Sequence, residues 1–129
     1  SGIRGDFYAC LQACRGVGDL RSAVAALQFD PRPRVCVVIA APGYPHERLR
    51  GAEIFVDDAW FEQASDVRLY EDGVRFLTQD GQLRIETTGG RTYTIVAVGE
   101  TVADARAVAY GATAHVRFEG AQWRGDIGV

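Results

Sequence analysis

Apolar residues at Phe7, Cys10, Leu11 and Cys14 recur at i, i+3, i+4 and i+7, one face of a helix. The spacing predicts a short amphipathic helix over 6–15, ended by Gly16 and Gly18. Residues 19–28 read two ways: Asp19 is a good N-cap, and Ala26 to Phe29 suits a strand equally. Asp30-Pro31-Arg32-Pro33 is a stiff connector, because its prolines fix φ and remove N–H donors. The β-branched run Arg34-Val35-Cys36-Val37-Val38-Ile39-Ala40 predicts a central strand buried on both faces. It stops at the breaker-rich loop Ala41-Pro42-Gly43-Tyr44-Pro45.

Further on, a short strand is expected at 53–56 and one helical turn at 59–63. Residues 67–70, 74–78 and 82–86 alternate apolar and polar, separated by Asp72-Gly73 and Asp80-Gly81. Both turn residues of an Asp-Gly pair tolerate positive φ, so a hairpin meander is predicted. Gly89-Gly90 makes a third turn into a strand at 93–98. A helix is expected from Thr101 to about His115, capped by Thr101 with Asp104 three residues on. Its core stripe is Val102, Ala105, Ala109, Ala112 and Val116, with Val108 beside them. A last strand at 116–118 precedes the glycine-spaced ending Gln122-Trp123-Arg124-Gly125-Asp126-Ile127-Gly128. The class is α+β: a mixed or mostly antiparallel sheet with a hairpin meander, packed against two or three helices in a single domain over 1–129.

Composition narrows the chemistry. A net charge of −3 gives no reason to expect nucleic acid or an anionic membrane as partner. No apolar run approaches the roughly 20 residues that span a bilayer, and residues 1–20 do not read as a signal peptide. Cys10, Cys14 and Cys36 lack zinc spacing; Cys10 and Cys14, four apart on one helix face, could approach each other but read as buried small apolar residues, and nothing asks for an oxidising compartment, so a cytoplasmic setting is expected. With no methionine present, the chain is expected to be a processed product or a piece of a longer polypeptide, with Ser1-Gly2 a possible tag remnant. There is no lysine either, so all 14 cationic side chains are arginines. Any phosphate must be held by guanidinium forks, backbone N–H groups or a helix N-terminus, and Schiff-base chemistry is excluded.

The candidate binding residues follow from these constraints. Arg124 sits in the glycine-rich tail, where Gly125 and Gly128 let backbone approach a ligand and a guanidinium suits a phosphate. The plain alternative is a surface arginine paired with Asp126, itself an orienting partner or a turn residue. The Gly43-Tyr44-Pro45 loop follows the end of a buried strand, where sites tend to lie, or is a turn required by topology. Arg91, after its Gly-Gly turn, is a further anion contact or a solvated hairpin residue. His46 and His115 do not read as a metal pair, and His115 suits a helix C-terminus. Asp57-Asp58 and Glu71-Asp72 read as solvated turn residues. No catalytic residue and no metal ligand is assigned.

Four segments, in order, carry a resemblance. They are Phe29-Asp30-Pro31-Arg32 running into Val35-Cys36-Val37-Val38, then Gly43-Tyr44-Pro45 with Arg50-Gly51. Gly89-Gly90-Arg91 leading to Val98-Gly99 comes next. Last are Ala105-Arg106, Ala109-Tyr110, Val116-Arg117-Phe118-Glu119-Gly120 and the Trp123-Arg124-Gly125-Asp126-Ile127-Gly128 ending. Over residues 6–128 the chain resembles the C-terminal domain of the phosphoribosylamine–glycine ligases, members of the ATP-grasp superfamily. It departs from that pattern at Glu71-Asp72-Gly73-Val74, in place of a His-Ala-Gly-Thr-like turn, and at His46, where a glycine is usual.

The resemblance implies a fragment of an enzyme that couples glycine to 5-phosphoribosylamine in purine biosynthesis, forming ADP and phosphate from ATP. It implies that ATP and Mg²⁺ belong to an upstream ATP-grasp domain of the parent chain, which is the partner of this fragment. The fragment itself would carry no cofactor and no catalysis, and would close the pocket over the phosphosugar amine. Substrate contacts would come from Arg124, Asp126, Gly43, Tyr44, Pro45 and Arg91. The alternatives are a free-standing phosphosugar-binding or regulatory module of the same fold, and the corresponding domain of another ATP-grasp ligase.

Overall fold

In the computed structural model, residues 2–129 are described; Ser1, part of the expected remnant, lies outside them. The chain divides into two compact units, Ser1–Arg32 and Pro33–Val129. In the first, strands β1 (Ile3–Arg4) and β2 (Gln28–Phe29) pair antiparallel around helices α1 (Phe7–Cys14) and α2 (Leu20–Ala25). Asp6 caps α1 through the Ala9 N–H, and Asp19 caps α2 through the Ser22 N–H. The ambiguous stretch thus holds both readings: the cap starts a helix, and its end is a strand. Only Cys10 of the described residues here is buried, and Cys14, expected inside, is exposed.

The second unit holds the main core. Strands β3 (Arg34–Ala40), β8 (Arg91–Val98) and β5 (Val67–Glu71) form a three-stranded antiparallel sheet with β8 in the middle. On one face, Val35, Val37 and Ile39 stand opposite Ala97, Ile95 and Tyr93. Helix α4 (Val102–Ala112) packs there through the buried Ala105, Ala109 and Ala112. Those three methyl side chains let the helix axis approach the sheet closely. Thr101 caps the helix as expected, and Asp104 completes a capping box by accepting from the Thr101 N–H, so two N–H groups at the helix start are satisfied. Val102, placed in the core stripe by the sequence, and Val108, placed beside it, are exposed. The strand expected to be buried on both faces is not: Cys36 is exposed and Val38 only half-buried, so β3 has one buried face.

The remaining strands make a second antiparallel sheet, ordered β6 (Val74–Gln79), β7 (Gln82–Thr87), β4 (Glu53–Val56), β9 (Val116–Arg117). The expected meander is therefore split. Asp80 and Gly81, both at positive φ, close a true β6–β7 hairpin. Asp72-Gly73 does not close one. β5 pairs with β8 and β6 with β7, so this turn carries the chain from one sheet to the other, and so does Gly89-Gly90. A turn's chemistry fixes a local reversal but not which strand the chain meets next. The outcome is α+β with antiparallel sheets and, among the described residues, four α-helices, α3 being Asp58–Gln63.

His115 ends a single 3₁₀ turn, Thr113–His115, after α4. Its Nδ1 lies 3.1 Å from Asp57 Oδ2, and its ring stacks on Trp60 with centroids 4.0 Å apart. Asp57, expected as a solvated turn residue, also caps α3 through the Trp60 N–H. The imidazole beside it is the largest influence holding the Asp57 carboxyl below its ordinary pKa. Among the described residues, no helix is long and apolar enough to cross a membrane.

The chain end is strapped to α4. Tyr110 Oη donates to the Arg124 carbonyl at 2.6 Å and accepts from the Ile127 N–H at 3.1 Å. Arg106 donates to the carbonyls of Ile127 and Gly125, while its guanidinium lies 4.7 Å from the Tyr110 ring centroid. Tyr110→Phe removes both phenol bonds and leaves the packing intact. It is expected to lower stability by about 1–2 kcal/mol and to speed hydrogen exchange at the Ile127 amide; unchanged exchange there would show that the strap does not hold the tail.

Tyr93 is 1% exposed, and its hydroxyl has no hydrogen-bond partner among the described residues. Burial, with Glu71 and Asp58 nearby, pushes its pKa up to about 12 from 10.0. The unfolded chain then loses this proton first, so stability is unaffected below pH 10 and falls as pH rises towards 12. Tyr93→Phe is expected to remove that alkaline loss. At neutral pH it should leave the melting temperature unchanged or raise it, since an orphaned polar group disappears. Thermal melts at pH 7 and across pH 9.5–11.5 decide the matter.

Candidate functional site

The site grows from the end of β3. Pairing between β3 and β8 shifts register there: Ile39 faces Tyr93, but Ala40 faces Arg91. Thr92 is the extra residue of this bulge, fully buried, with its hydroxyl donating to the Ile39 carbonyl at 2.8 Å. A bulge of this kind re-aims the side chain beside it, and here that side chain is Arg91.

Three pieces of chain are then tied together. The Ala41 N–H donates to the Gly90 carbonyl at 2.8 Å. Ala40 and Gln122 exchange backbone hydrogen bonds of 2.9 and 3.1 Å. The Gln122 side-chain amide donates to the carbonyls of Ala41 and Tyr44, at 3.0 and 2.9 Å. The loop after β3 is thereby fixed between the turn before β8 and the tail. Gly43 serves its curvature: φ is +82°, and a Cβ there would fall 2.8 Å from the Glu47 Cβ. The Glu47 N–H closes the curl onto the Gly43 carbonyl at 2.8 Å.

These ties bring Tyr44, Pro45, Arg91 and Arg124 to one cavity of about 390 Å³, over a floor that includes Val38, Ala40 and Trp123. Four of the six residues singled out from the sequence line it. Of the other two, Gly43 shapes the loop and Asp126 meets Arg124. That pairing is two-pronged: Arg124 Nε donates to Oδ1 at 2.8 Å and a terminal nitrogen to Oδ2 at 2.6 Å. The carboxylate raises the guanidinium's pKa, and the guanidinium lowers that of Asp126. Both side chains stay largely in solvent, 73% and 58% exposed, so the pair adds little to stability. It leaves donors of Arg124 at the cavity rim. The cavity thus has an apolar, aromatic floor with guanidinium groups at its edge, an arrangement that takes a small ligand with an apolar face and anionic or hydroxylated substituents.

Residues that the sequence did not single out hold this together. Gln122 cross-links loop and tail, and nothing in its own type marks it. Arg106 and Tyr110 stand four apart on α4, a spacing that puts them on one helix face, but only the fold puts the tail in front of them. Asp72, read as a solvated turn residue, lies 3.2 Å from Arg91. Among the described residues no three His, Cys, Asp or Glu side chains gather to hold a metal ion.

Comparison with known proteins agrees with this architecture. Residues 34–129 match the family described as phosphoribosylglycinamide synthetase, C domain. The chain is 37% identical over 101 residues to phosphoribosylamine–glycine ligase of Caldanaerobacter subterraneus, covering 78% of this chain and 22% of the relative. It is 35% identical over 119 residues to that of Salmonella typhimurium, covering 92% and 26%. A crystal structure of phosphoribosylamine–glycine ligase from Thermotoga maritima superposes with a TM-score of 0.57 at 34% identity, over 72% of this chain and 21% of that one. The chain thus spans about a quarter of the length of the relatives it matches. With the match running from the first core strand to the end of the tail, the chain belongs to the phosphoribosylglycinamide synthetase C-domain family.

Proposed function

We infer that the chain is the substrate-closing domain of a phosphoribosylamine–glycine ligase, working in purine biosynthesis in the cytoplasm. It acts with an upstream ATP-grasp domain of the same parent chain. The observation that supports this reading is the single cavity shared by Tyr44, Pro45, Arg91 and Arg124 in a chain of this family. The apolar floor suits the face of a sugar ring, and the rim arginines suit its hydroxyl and phosphate oxygens.

In such an enzyme, ATP supplies the phosphoryl group that activates the glycine carboxylate, with Mg²⁺ on the nucleotide. The donor set of this fragment does not fit that ion, since its described carboxylates and imidazoles form no cluster of three. On the family resemblance, nucleotide and metal belong to the upstream domain. The fragment's own residues bind and orient the phosphosugar amine and exclude water from it. Gln122 keeps the loop and tail walls at a fixed spacing, so the cavity is pre-organised before substrate arrives.

In the full-length enzyme, Arg124→Ala is expected to raise KM for phosphoribosylamine through the loss of about 1.5–3 kcal/mol of charge-assisted hydrogen bonding, roughly 10- to 150-fold. KM for ATP should move far less. Steady-state kinetics with each substrate varied in turn test this, and an unmoved phosphoribosylamine KM removes Arg124 from the site. The isolated 129-residue chain is expected to hydrolyse no ATP; magnesium-dependent release of phosphate by the purified chain would contradict the division of labour.

A further inference from the structure

A second cleft, of about 480 Å³, shares Tyr44 and Arg91 with the first and differs from it in chemistry. Its walls include Arg48 from the loop, the Gly89-Gly90 turn and Asp72. Charges within it do not cancel. Asp72 faces Arg91 at 3.2 Å, whereas Arg48 forms no ion pair with a carboxylate among the described residues. Glu47, the nearest carboxylate along the loop, lies against Gly43 instead. The cleft therefore carries an excess positive charge on a chain whose net charge is −3.

Backbone donors supply an independent observation. Gly89 and Gly90 are both buried, and neither N–H donates a hydrogen bond within the described residues. Buried N–H groups are almost always paired, so two successive unpaired donors lining a cationic cleft point to a ligand acceptor. Consecutive N–H groups in a turn form a recognised type of anion-binding concavity. The cleft is also rigidly built. A Cβ on Gly89, where φ is +84°, would lie 3.1 Å from the Arg48 Cβ, so the turn and the loop are pressed together. The Thr88 N–H donates to the Gly73 carbonyl and the Gly73 N–H to the Arg91 carbonyl, at 2.9 and 2.8 Å.

We propose that this cleft seats the phosphate group of a phosphorylated ligand, with Arg48 and the Gly89 and Gly90 N–H groups as its donors. Arg48 is then the residue that selects a phosphate monoester over the unphosphorylated sugar. The proposal rests on the phosphosugar reading above and deepens it: the sugar occupies the apolar cavity and its phosphate the polar one, with Arg91 at their shared edge. Arg124, neutralised by Asp126, is left to the sugar end.

The test is an NMR titration of the 129-residue chain with inorganic phosphate and with ribose 5-phosphate at constant ionic strength, following the Gly89 and Gly90 amide resonances. Saturable shifts at both amides are expected with either probe. Arg48→Gln should weaken binding by at least about tenfold, with Arg48→Lys falling between it and the parent chain. Arg75→Gln removes an equal charge from the Arg75–Glu86 pair on the other sheet and should leave binding unchanged. Absence of saturable shifts in the parent chain, or equal weakening by Arg48→Gln and Arg75→Gln, overturns the proposal. A cleft that binds both probes through Arg48, in an enzyme whose phosphoribosylamine KM ignores Arg48→Gln, upholds the phosphate seat and refutes the substrate reading.

Discussion

The second unit depends on one close contact, the seating of Ala105, Ala109 and Ala112 on the inner face of β3 and β8. Larger side chains at these positions would hold the helix away from the sheet, and a well-packed core tolerates such enlargement poorly. From that contact α4 gains a fixed height, and Arg106 and Tyr110 on its flank reach the tail at hydrogen-bonding distance. The tail in turn fixes Gln122 beside Ala40, and Gln122 fixes the loop that carries Tyr44. Core packing and cavity geometry are thus successive links of one chain of contacts, and a disturbance under the helix is passed to the binding face.

The two clefts divide their chemistry along Arg91. On one side lie Val38, Ala40 and Trp123, where burial of an apolar ligand face is favourable. On the other lie Arg48, Asp72 and the glycine turn, where only a polar or charged group avoids a desolvation penalty. The β-bulge at Thr92 places Arg91 at this divide, because the extra residue on β8 shifts the register beside the last residue of β3. One buried threonine, its hydroxyl spent on the Ile39 carbonyl, so decides where the most central guanidinium stands.

Much of this was legible in the chain, and the exceptions share a cause. Short-range signals came through: Asp19 and Thr101 cap the helices expected of them, and Asp80-Gly81 closes its hairpin. Each involves groups within a few residues of one another. Asp72-Gly73 misled because the same dipeptide chemistry serves a reversal within a sheet and a passage between sheets. The β-branched run of β3 suggested two covered faces, yet the partner α4 covers only the face bearing Val35, Val37 and Ile39. In the binding region, residue types marked Arg124, Arg91 and the Gly-Tyr-Pro loop, because charge and glycine content are visible along a chain. Gln122, Arg106 and Tyr110 were not marked, since what matters about them is which distant carbonyl they meet. Arg48 was hidden for the converse reason: its distinction is that it forms no ion pair among the described residues.

The fastening of the chain end uses Tyr110 and Arg106 to hold the carbonyls of Arg124, Gly125 and Ile127 and the N–H of Ile127. All four grips are on main-chain atoms, which every amino acid supplies save that proline lacks the N–H. The outward side chains at 123 and 124 are consequently uncoupled from the anchoring that presents them. Ligand preference at this rim is thus open to change by single replacements while the clasp beneath stays shut, so that evolution, or an engineer, has separate handles on recognition and on integrity.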